Sequence, residues 1–234
     1  MNIAVILAAG KGERAGGELP KQFVRIGEKM VIEYAIQTFQ NHPMIDEIAV
    51  VTSADYLPLM QQLISTNRYS KLRQLIRGGA ERYQSSWAAV RHYADSQQAI
   101  LLIHDAARPF VTADTITKSI QALGTSNCAL VAVPATDTVV YSADNRYITN
   151  VPPRKQMYYA QTPQVFRLAT LKKAFEKGLQ DPQFNPTDDS SVILKYLPEE
   201  SIVIVEGRPS NRKITYAEDL LWATQVIQCQ PCAS

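Results

Sequence analysis

The sequence is poor in the residues that mark disulfide-rich or strongly charged proteins. Its 234 residues include three cysteines, Cys128, Cys229 and Cys232, and this odd number is typical of a reducing compartment. Lysine and arginine total 24 against 22 for aspartate and glutamate, so the formal net charge is only +2. Such a balance provides no bulk field that would attract nucleic acid or an anionic membrane. We therefore expect neither as a partner.

Long apolar runs are also absent. No stretch is long enough to span a bilayer, and residues 1–10 lack the basic lead-in of a signal peptide. We therefore expect a cytoplasmic protein. A chain of this length with 46% hydrophobic residues can bury a sizeable core. Because no linker, repeat or low-complexity tract divides it, we expect one domain over residues 1–234.

Short apolar runs rich in β-branched residues alternate with longer amphipathic segments. Runs without polar alternation predict strands buried on both faces, and the segments between them predict helical crossovers that join parallel strands. The pattern predicts an α/β, Rossmann-like fold with a mostly parallel twisted sheet between helices. The strands are predicted at residues 3–7, 48–52, 72–76, 100–103, 129–133 and 202–205, and the helices at 31–40, 55–67, 81–95, 113–123, 167–180, 188–197 and 215–228.

Residues 135–160 interrupt this alternation. They predict two thin strands around a Ser-Ala-Asp-Asn turn at residues 142–145, followed by a Pro-Pro corner. A two-stranded ribbon is marginal in water, and this one is too polar to hold itself together. We expect residues 135–160 to project as an arm and to pack on a second subunit.

The loop after the first strand is small and rich in glycine, so its N–H groups can approach phosphate oxygens closely. Gly10 and Gly12 satisfy a relaxed dinucleotide fingerprint, but the acidic ribose partner expected about 20 residues later is missing. A P-loop is excluded because no Gly-Lys-Ser/Thr follows at the required spacing. Arg14 and Lys21 instead favour a triphosphate, whose charge must be neutralised during phosphoryl-type transfer.

Asp105 follows the apolar run that ends at Ile103, which places it at the carboxyl end of a predicted strand. A carboxylate there can hold Mg²⁺, directly or through water, against a nucleotide α-phosphate. It can also cap the helix that starts near Ala113 or pair with Arg108. Its position at a strand end favours the magnesium role. The neighbouring His104 is typical of a core histidine and receives no role.

Two further loops have both structural and functional interpretations. Glycines at 78 and 79 let the main chain approach a flat base and read its edge. Arg82, a few residues later, has a competing structural interpretation as a solvated residue at a helix start. Residues 187–190, Thr-Asp-Asp-Ser, predict a helix N-cap, and a helix N-terminus also attracts phosphate.

Five segments in order carry a family resemblance: the pattern Ala-Ala-Gly-x-Gly-x-Arg…Pro-Lys-Gln-Phe in residues 8–23, and residues 104–110, 161–166, 187–190 and 206–215. The first resembles the signature of sugar-phosphate nucleotidyltransferases. Together they are similar to the 2-C-methyl-D-erythritol 4-phosphate cytidylyltransferase family, over nearly the whole chain. The resemblance implies a nucleotidyltransferase fold. It also implies cytidylyl transfer from CTP to 2-C-methyl-D-erythritol 4-phosphate, with release of pyrophosphate, in non-mevalonate isoprenoid precursor synthesis.

The resemblance also implies a cofactor, a partner and a set of site residues. The cofactor is Mg²⁺, held by Asp105, and the partner is a second copy of the chain in a homodimer that exchanges arms. The implied catalytic residues are Arg14, Lys21 and Lys213; the nucleotide-binding residues are Ala8, Ala9, Gly10, Gly12, Gly79, Ser85 and Asp105; and the residues that bind the polyol-phosphate acceptor are Arg108, Thr138, Arg154 and Thr187.

The sequence departs from the family pattern at two positions and is compatible with more than one function. The family often has a polar residue where Ala80 stands, and a typical member has an apolar residue where Arg212 stands. Ribitol 5-phosphate cytidylyltransferases share the same layout. Ala8-Ala9 and the Ala-Ala pair within residues 104–109 favour the erythritol enzyme, whereas residues 157–161, Met-Tyr-Tyr-Ala-Gln, lean slightly toward the ribitol enzyme. A nicotinamide-dependent dehydrogenase and a non-catalytic nucleotide sensor are also compatible with the glycine-rich loop. Three cations at one predicted centre argue against a sensor, because binding alone does not require them.

Overall fold

A computed structural model of the protein describes residues 1–10, 19–67, 69–96 and 98–229. Its strands are β1 (Asn2–Leu7), β2 (Arg25–Ile26), β3 (Lys29–Met30), β4 (Glu47–Thr52), β5 (Leu72–Arg77), β6 (Ile100–Asp105), β7 (Cys128–Pro134), β8 (Tyr158–Arg167) and β9 (Ile202–Glu206). Its α-helices are α1 (Val31–Asn41), α2 (Leu57–Asn67), α3 (Arg82–His92), α4 (Ala113–Ala122), α5 (Leu168–Gly178), α6 (Asp189–Tyr196) and α7 (Ala217–Cys229).

Seven of these strands form one sheet in the order β5-β4-β1-β6-β8-β7-β9. Neighbouring strands are parallel except where β8 pairs antiparallel with β6 and with β7. The short strands β2 and β3 form a separate antiparallel pair. The prediction of a mostly parallel α/β sheet is therefore confirmed, and each of the six predicted strands lies within a residue or two of its expected bounds.

Helices cover both faces of the sheet because successive strand side chains point to opposite sides. In β1, Ala4 and Ile6 pack with side chains of α1, α2 and α4, whereas Ile3 and Val5 pack with side chains of α3, α5 and α6. A smaller apolar cluster joins α7 to the β2–β3 pair and to the start of α1. The continuous apolar runs of the sequence are thus explained by burial on two faces.

Strand β8 is missing from the predicted strands. Its sequence, YYAQTPQVFR, interrupts the apolar pattern, yet Gln161, Thr162 and Gln164 are buried in the sheet. Their polar groups form hydrogen bonds to the loop after β9 and to the start of α6 instead of facing water. The polar residues that interrupt the apolar pattern of β8 are therefore the ones that bond this strand to neighbouring elements.

The arm, residues 135–160, departs from the predicted hairpin. It contains one isolated antiparallel bridge, Tyr141 with Asn150, in place of two thin strands, and its last three residues belong to β8. The turn lies where it was predicted: Asp144 accepts the N–H groups of Arg146 and Tyr147 at 2.9 Å, and Asn145 has a positive φ of 58°. A ribbon without a neighbouring sheet or core does not extend its pairing.

Within residues 1–10, 19–67, 69–96 and 98–229, no helix is both long and apolar enough to cross a bilayer.

Candidate active site

An open cavity of about 650 Å³ lies at the edge of the sheet where several parallel strands end. Its volume is typical of a small-ligand site, and this edge is where open α/β sheets bind ligands. The loops after β1, β5, β6 and β9 contribute side chains or main chain to its wall. Seven of the predicted site residues line it: Ala9, Gly10, Lys21, Gly79, Ser85, Asp105 and Lys213.

Gln22 fixes the beginning of the loop after β1. Its side-chain amide donates to the carbonyl oxygens of Ala8 at 2.8 Å and Gly10 at 2.7 Å. The N–H of Ala8 donates to Val51 of β4, so both main-chain groups of Ala8 are bound within the protein. Ala8 does not line the cavity, and its predicted contact with nucleotide stays a prediction. Gln22 was not predicted as a site residue, although it stands in the Pro-Lys-Gln-Phe signature beside Lys21.

Gly78 lets the loop after β5 approach the loop after β1, and Gly79 lets it pack against Gln84 of α3. A Cβ on Gly78 would lie only 2.7 Å from the Ala9 Cβ and from the Ser85 Oγ, so no other residue fits there without movement. The N–H of Gly79 donates to the Ser85 Oγ at 3.3 Å. The main chain of both loops therefore borders the cavity, as is required if backbone groups are to read a base edge.

Alternating charges connect the cavity to α6. The Lys213 Nζ lies 2.7 Å from Asp105 Oδ2, the Arg82 Nε lies 3.2 Å from Asp105 Oδ1, and the Arg82 Nη1 lies 2.6 Å from Asp189 Oδ2. Asp189 is fully buried. The alternative interpretation of Arg82 as a solvated helix residue is therefore wrong. The signal that could have found it is its place just beyond a strand's carboxyl end, beside the glycine pair.

The pKa values of this cluster follow from burial and charge together. Burial alone would raise the pKa of Asp105, but the charges of Arg82 and Lys213 outweigh it and hold that pKa well below its usual range. Burial alone would lower the pKa of Arg82, but the charges of Asp189 and Asp105 outweigh it and raise that pKa. At neutral pH the cavity wall thus carries an ionised carboxylate between two fixed cations.

His104 is buried beside Asp105. Burial is the largest influence on its pKa, which is lowered to about 4. Its Nε2 lies 3.0 Å from the carbonyl oxygen of Arg108, so the single proton of the neutral ring is on Nε2. Its Nδ1 then accepts from the Thr162 hydroxyl at 2.9 Å.

The remaining predicted residues lie away from the cavity wall. Arg108 donates to the carbonyl oxygens of Asn211 at 2.8 Å and Ala160 at 3.2 Å. Thr187 is exposed just before α6, whose N-cap is Asp188. For both, acceptor binding stays a prediction.

The arm residues Thr138 and Arg154 are exposed, and neither lines the cavity of its own chain. One Arg154 nitrogen, Nη1, donates to the carbonyl oxygen of Thr136 at 3.3 Å. Gly12 and Arg14 lie outside the described residues, so their predicted roles have no structural counterpart.

The donor set at Asp105 suits a magnesium ion that takes most of its ligands from a substrate. In the described part of the chain, no group of three or more His, Cys, Asp or Glu side chains could cage a metal. Asp105 offers one ionised carboxylate at the cavity wall. Mg²⁺ is commonly bound by one or two carboxylates together with phosphates and water, so the residues present fit it.

Comparison with known proteins places the chain in a family. The family model described as IspD, 2-C-methyl-D-erythritol 4-phosphate cytidylyltransferase, matches residues 2–229. The chain belongs to this family. The predictions of the family, of a nucleotidyltransferase enzyme and of cytidylyl transfer are thereby confirmed.

Individual relatives agree with this assignment over most of their length. The 2-C-methyl-D-erythritol 4-phosphate cytidylyltransferase of Bifidobacterium longum is 39% identical over 97% of this chain and 80% of its own. The crystal structure of 4-diphosphocytidyl-2C-methyl-D-erythritol synthase from Anaerococcus prevotii superposes with a TM-score of 0.86, at 29% identity and over 97% and 96% of the two chains.

A bifunctional protein of Haemophilus influenzae is also similar. It is named ribulose 5-phosphate reductase/CDP-ribitol pyrophosphorylase Bcs1, and it is 39% identical over 97% of this chain. This chain covers 48% of that longer protein. The similarity therefore concerns one part of a two-activity protein.

Proposed function

We propose that this chain transfers the cytidylyl group of CTP to 2-C-methyl-D-erythritol 4-phosphate, giving 4-diphosphocytidyl-2-C-methyl-D-erythritol and pyrophosphate. One observation carries the proposal: in a chain of this family, Lys21, Asp105 and Lys213 converge on one cavity beside glycine-rich main chain. Two cations, a carboxylate and closely approachable main chain are the groups expected at a site that binds a nucleoside triphosphate and a second phosphate.

The donor nucleotide would occupy the cavity. Main chain near Gly10 would approach the triphosphate, and the loop of Gly79 and Ser85 would take the base and ribose. Lys21 and Lys213 supply positive charge on the same wall. Lys21 is almost fully buried, so its ammonium group is held in position. Its attraction to phosphate charge would be stronger there than in water, because the dielectric constant is lower.

The reaction would be an in-line displacement at the α-phosphorus of CTP. A phosphate oxygen of the acceptor forms the new P–O bond, and the bond from the α-phosphorus to the bridging oxygen of the β-phosphate breaks. The pyrophosphate leaves with that electron pair. No general base is needed, because a phosphate monoester with a second pKa of about 6 is already anionic at neutral pH. Catalysis then consists of positioning and charge stabilisation.

Asp105 would hold Mg²⁺ in this proposal. When bound, the ion would neutralise phosphate charge and help to orient the leaving group. Asp105 would have to share its carboxylate between the ion and the two cations that now contact it. Arg82 would remain anchored by Asp189, whereas Lys213 would be free to turn to the phosphates.

The acceptor side of the site would come in part from a second copy of the chain. The arm exposes several large apolar side chains, including Val140, Tyr141, Tyr147, Ile148 and Val151, in a segment with a single backbone bridge. Several large apolar side chains exposed in one short segment are typical of an interaction surface. We infer a two-fold dimer in which Thr138 and Arg154 reach the partner's acceptor phosphate. The cytoplasmic location also remains a prediction.

Ribitol 5-phosphate is the second candidate acceptor. The Haemophilus protein favours it, because its name includes CDP-ribitol pyrophosphorylase and its identity to this chain equals that of the Bifidobacterium enzyme. The chemistry at the α-phosphorus would be the same.

A coupled pyrophosphate-release assay tests the proposal by combining CTP, UTP or ATP with each acceptor. We expect pyrophosphate only when CTP, Mg²⁺ and 2-C-methyl-D-erythritol 4-phosphate are all present. Turnover of ribitol 5-phosphate without turnover of the erythritol substrate would reject the acceptor and leave the chemistry intact. Release of pyrophosphate with neither acceptor would reject cytidylyl transfer.

The same assay tests how the base is read. Ala80 lines the cavity where a side-chain hydrogen-bonding group is often present in the family, so cytosine would be read mainly by main chain. We expect CTP to be preferred over ATP by a wide margin and over UTP by a smaller one. Equal use of ATP and CTP would contradict this assignment of the base pocket.

A further inference from the structure

Thr162 of β8 is bonded to two loops that carry predicted site residues. Its hydroxyl accepts the main-chain N–H of Asp105 at 3.1 Å and lies 2.9 Å from His104 Nδ1. Its carbonyl oxygen accepts the side-chain N–H of Asn211 at 2.8 Å. Each of these four residues is buried. One residue of β8 thus holds the end of β6 and the loop after β9 at once.

Asn211 extends these bonds toward Arg108 and Lys213. Its carbonyl oxygen accepts from the Arg108 Nη1 at 2.8 Å. Three residues later, the N–H of Ile214 donates to the loop after β6 at 2.8 Å. The main chain of residues 211–214 is therefore held on both sides of Lys213. The Lys213 Nζ lies 2.7 Å from Asp105 Oδ2.

Neither Thr162 nor Asn211 lines the cavity, so neither is expected to touch a substrate bound there. Their bonds go to the main chain of Asp105, to the ring of His104 and to the guanidinium of Arg108. They can affect chemistry only by fixing where those groups stand. A displacement of about 1 Å in a positioned group can cost about 10²-fold in rate.

We propose that Thr162 and Asn211 are positioning residues of the transfer reaction, which hold the main chain of Asp105 and of the segment around Lys213 in place, so that both side chains reach the reacting phosphates from fixed anchors. This rests on the proposed function, since it assigns these two groups to the reacting phosphates. The competing explanation is that the bonds only stabilise the junction of β6, β8 and the loop after β9.

Three threonine variants separate the two explanations. Thr162→Val keeps the shape and removes both hydroxyl bonds, and Thr162→Ser keeps the hydroxyl. Thr115→Val is the matched control, because Thr115 is equally buried and its hydroxyl bonds Thr112 at the start of α4, outside the cavity wall. Melting temperature, kcat and the KM for CTP are measured for each.

We expect Thr162→Val to lower kcat about tenfold, with the KM for CTP within about threefold of wild type. Thr162→Ser should restore kcat, and Thr115→Val should lower the melting temperature without lowering kcat. The proposal is supported if Thr162→Val loses threefold or more in kcat and Thr162→Ser keeps the wild-type value. It is overturned if Thr162→Val loses less than threefold, or if Thr162→Ser shows the same loss. If Thr162→Val does not fold, Asn211→Ala is judged by the same threefold limit on kcat.

Hydrogen exchange separates this proposal from the proposed function. If the wild-type protein releases no pyrophosphate, the proposed function fails, but the network is still tested by the exchange rate of the Asp105 amide measured by NMR. That rate should rise about tenfold or more in Thr162→Val, because valine lacks the hydroxyl that accepts the Asp105 N–H. It should stay near the wild-type rate in Thr162→Ser, which keeps the hydroxyl. An unchanged rate in Thr162→Val overturns the network.

Discussion

The cavity wall and the arm differ in how completely a single chain pairs their charges and buries their apolar side chains. At the cavity, Asp105 and Asp189 are buried, and each has a cation within 3.2 Å. In the arm, Tyr147 and Ile148 are about 60% exposed, and the backbone forms one bridge. The cavity is therefore preorganised by its own chain, whereas the arm lacks the surface against which it would pack.

This difference suggests a division of the reaction between two chains. The groups that we propose meet a triphosphate are held in place by their own chain, and charge stabilisation is most effective when the charges are fixed in advance. Two of the groups predicted to meet the acceptor, Thr138 and Arg154, lie on the arm, whose exposed apolar side chains lack a covering surface within the chain. Each half of this division can be tested by substitution, beginning with the largest expected effect.

Loss of the Lys21 charge should have the largest effect on the cavity. Lys21→Ala should lower kcat by about 10²–10³-fold, as for other preorganised charge donors, and should change CTP affinity much less. Steady-state kinetics and calorimetric titration with CTP measure the two quantities. Lys118→Ala, an exposed lysine paired with Asp114 on α4, is the control. A variant with normal kcat and weak CTP binding would make Lys21 a docking residue only.

Removing the cation between the two buried carboxylates should destabilise the fold. Arg82→Gln leaves Asp189 buried without a cation, and we expect a loss of about 3 kcal/mol in the free energy of unfolding, measured in urea. Lys195→Gln breaks an ion pair with Asp181 at the protein surface and should have little effect. Equal stability of Arg82→Gln and wild type would show that the charge chain does not hold the cavity wall.

The arm should contribute to dimerisation through its apolar side chains. Ile148 is already partly covered, so burying the rest contributes about 1 kcal/mol per chain. A two-fold dimer buries two copies, so Ile148→Ser should weaken it by about 2 kcal/mol, or about 30-fold, measured by analytical ultracentrifugation. Leu221→Ser is the control, because Leu221 is equally exposed but lies on α7. A wild-type protein that stays monomeric, or equal weakening by both variants, would reject the arm as the interface.

Arg154 should affect the acceptor and not the nucleotide. Arg154→Ala should raise the KM for the acceptor about tenfold, because a charge-assisted bond to phosphate is lost, and should leave the KM for CTP unchanged. Arg146→Ala removes another exposed arginine of the arm and should change neither constant. A parallel rise in both KM values for Arg154→Ala would indicate a structural role instead.

Much of the fold could be predicted because the sheet is buried on both faces and its strands form continuous apolar runs. Strand β8 could not, because Gln161, Thr162 and Gln164 serve as internal hydrogen-bonding groups and break the pattern. The arm's pairing was overestimated, because alternation predicts a strand only where a neighbouring surface exists to cover it.

The site was predicted best where the chemistry follows a strand end. Asp105, Lys213 and the glycine loop lie around one cavity, as expected from their positions after strands. Arg82 was misjudged because its partner Asp189 is 107 residues away in sequence, so no local pattern reveals the pair. Gln22 and Thr162 act through main-chain groups, and such bonds leave no signature in residue spacing.

Subunit exchange tests the division between cavity and arm most directly. Lys21→Ala and Arg154→Ala chains are mixed, exchange is verified by mass spectrometry, and activity is measured at limiting acceptor. If the arm acts on the partner, a heterodimer has one site with both defects and one with neither, so random mixing should restore about a quarter of wild-type activity. If exchange is complete and activity stays at the average of the two parents, Arg154 does not act across the interface, and the account is contradicted.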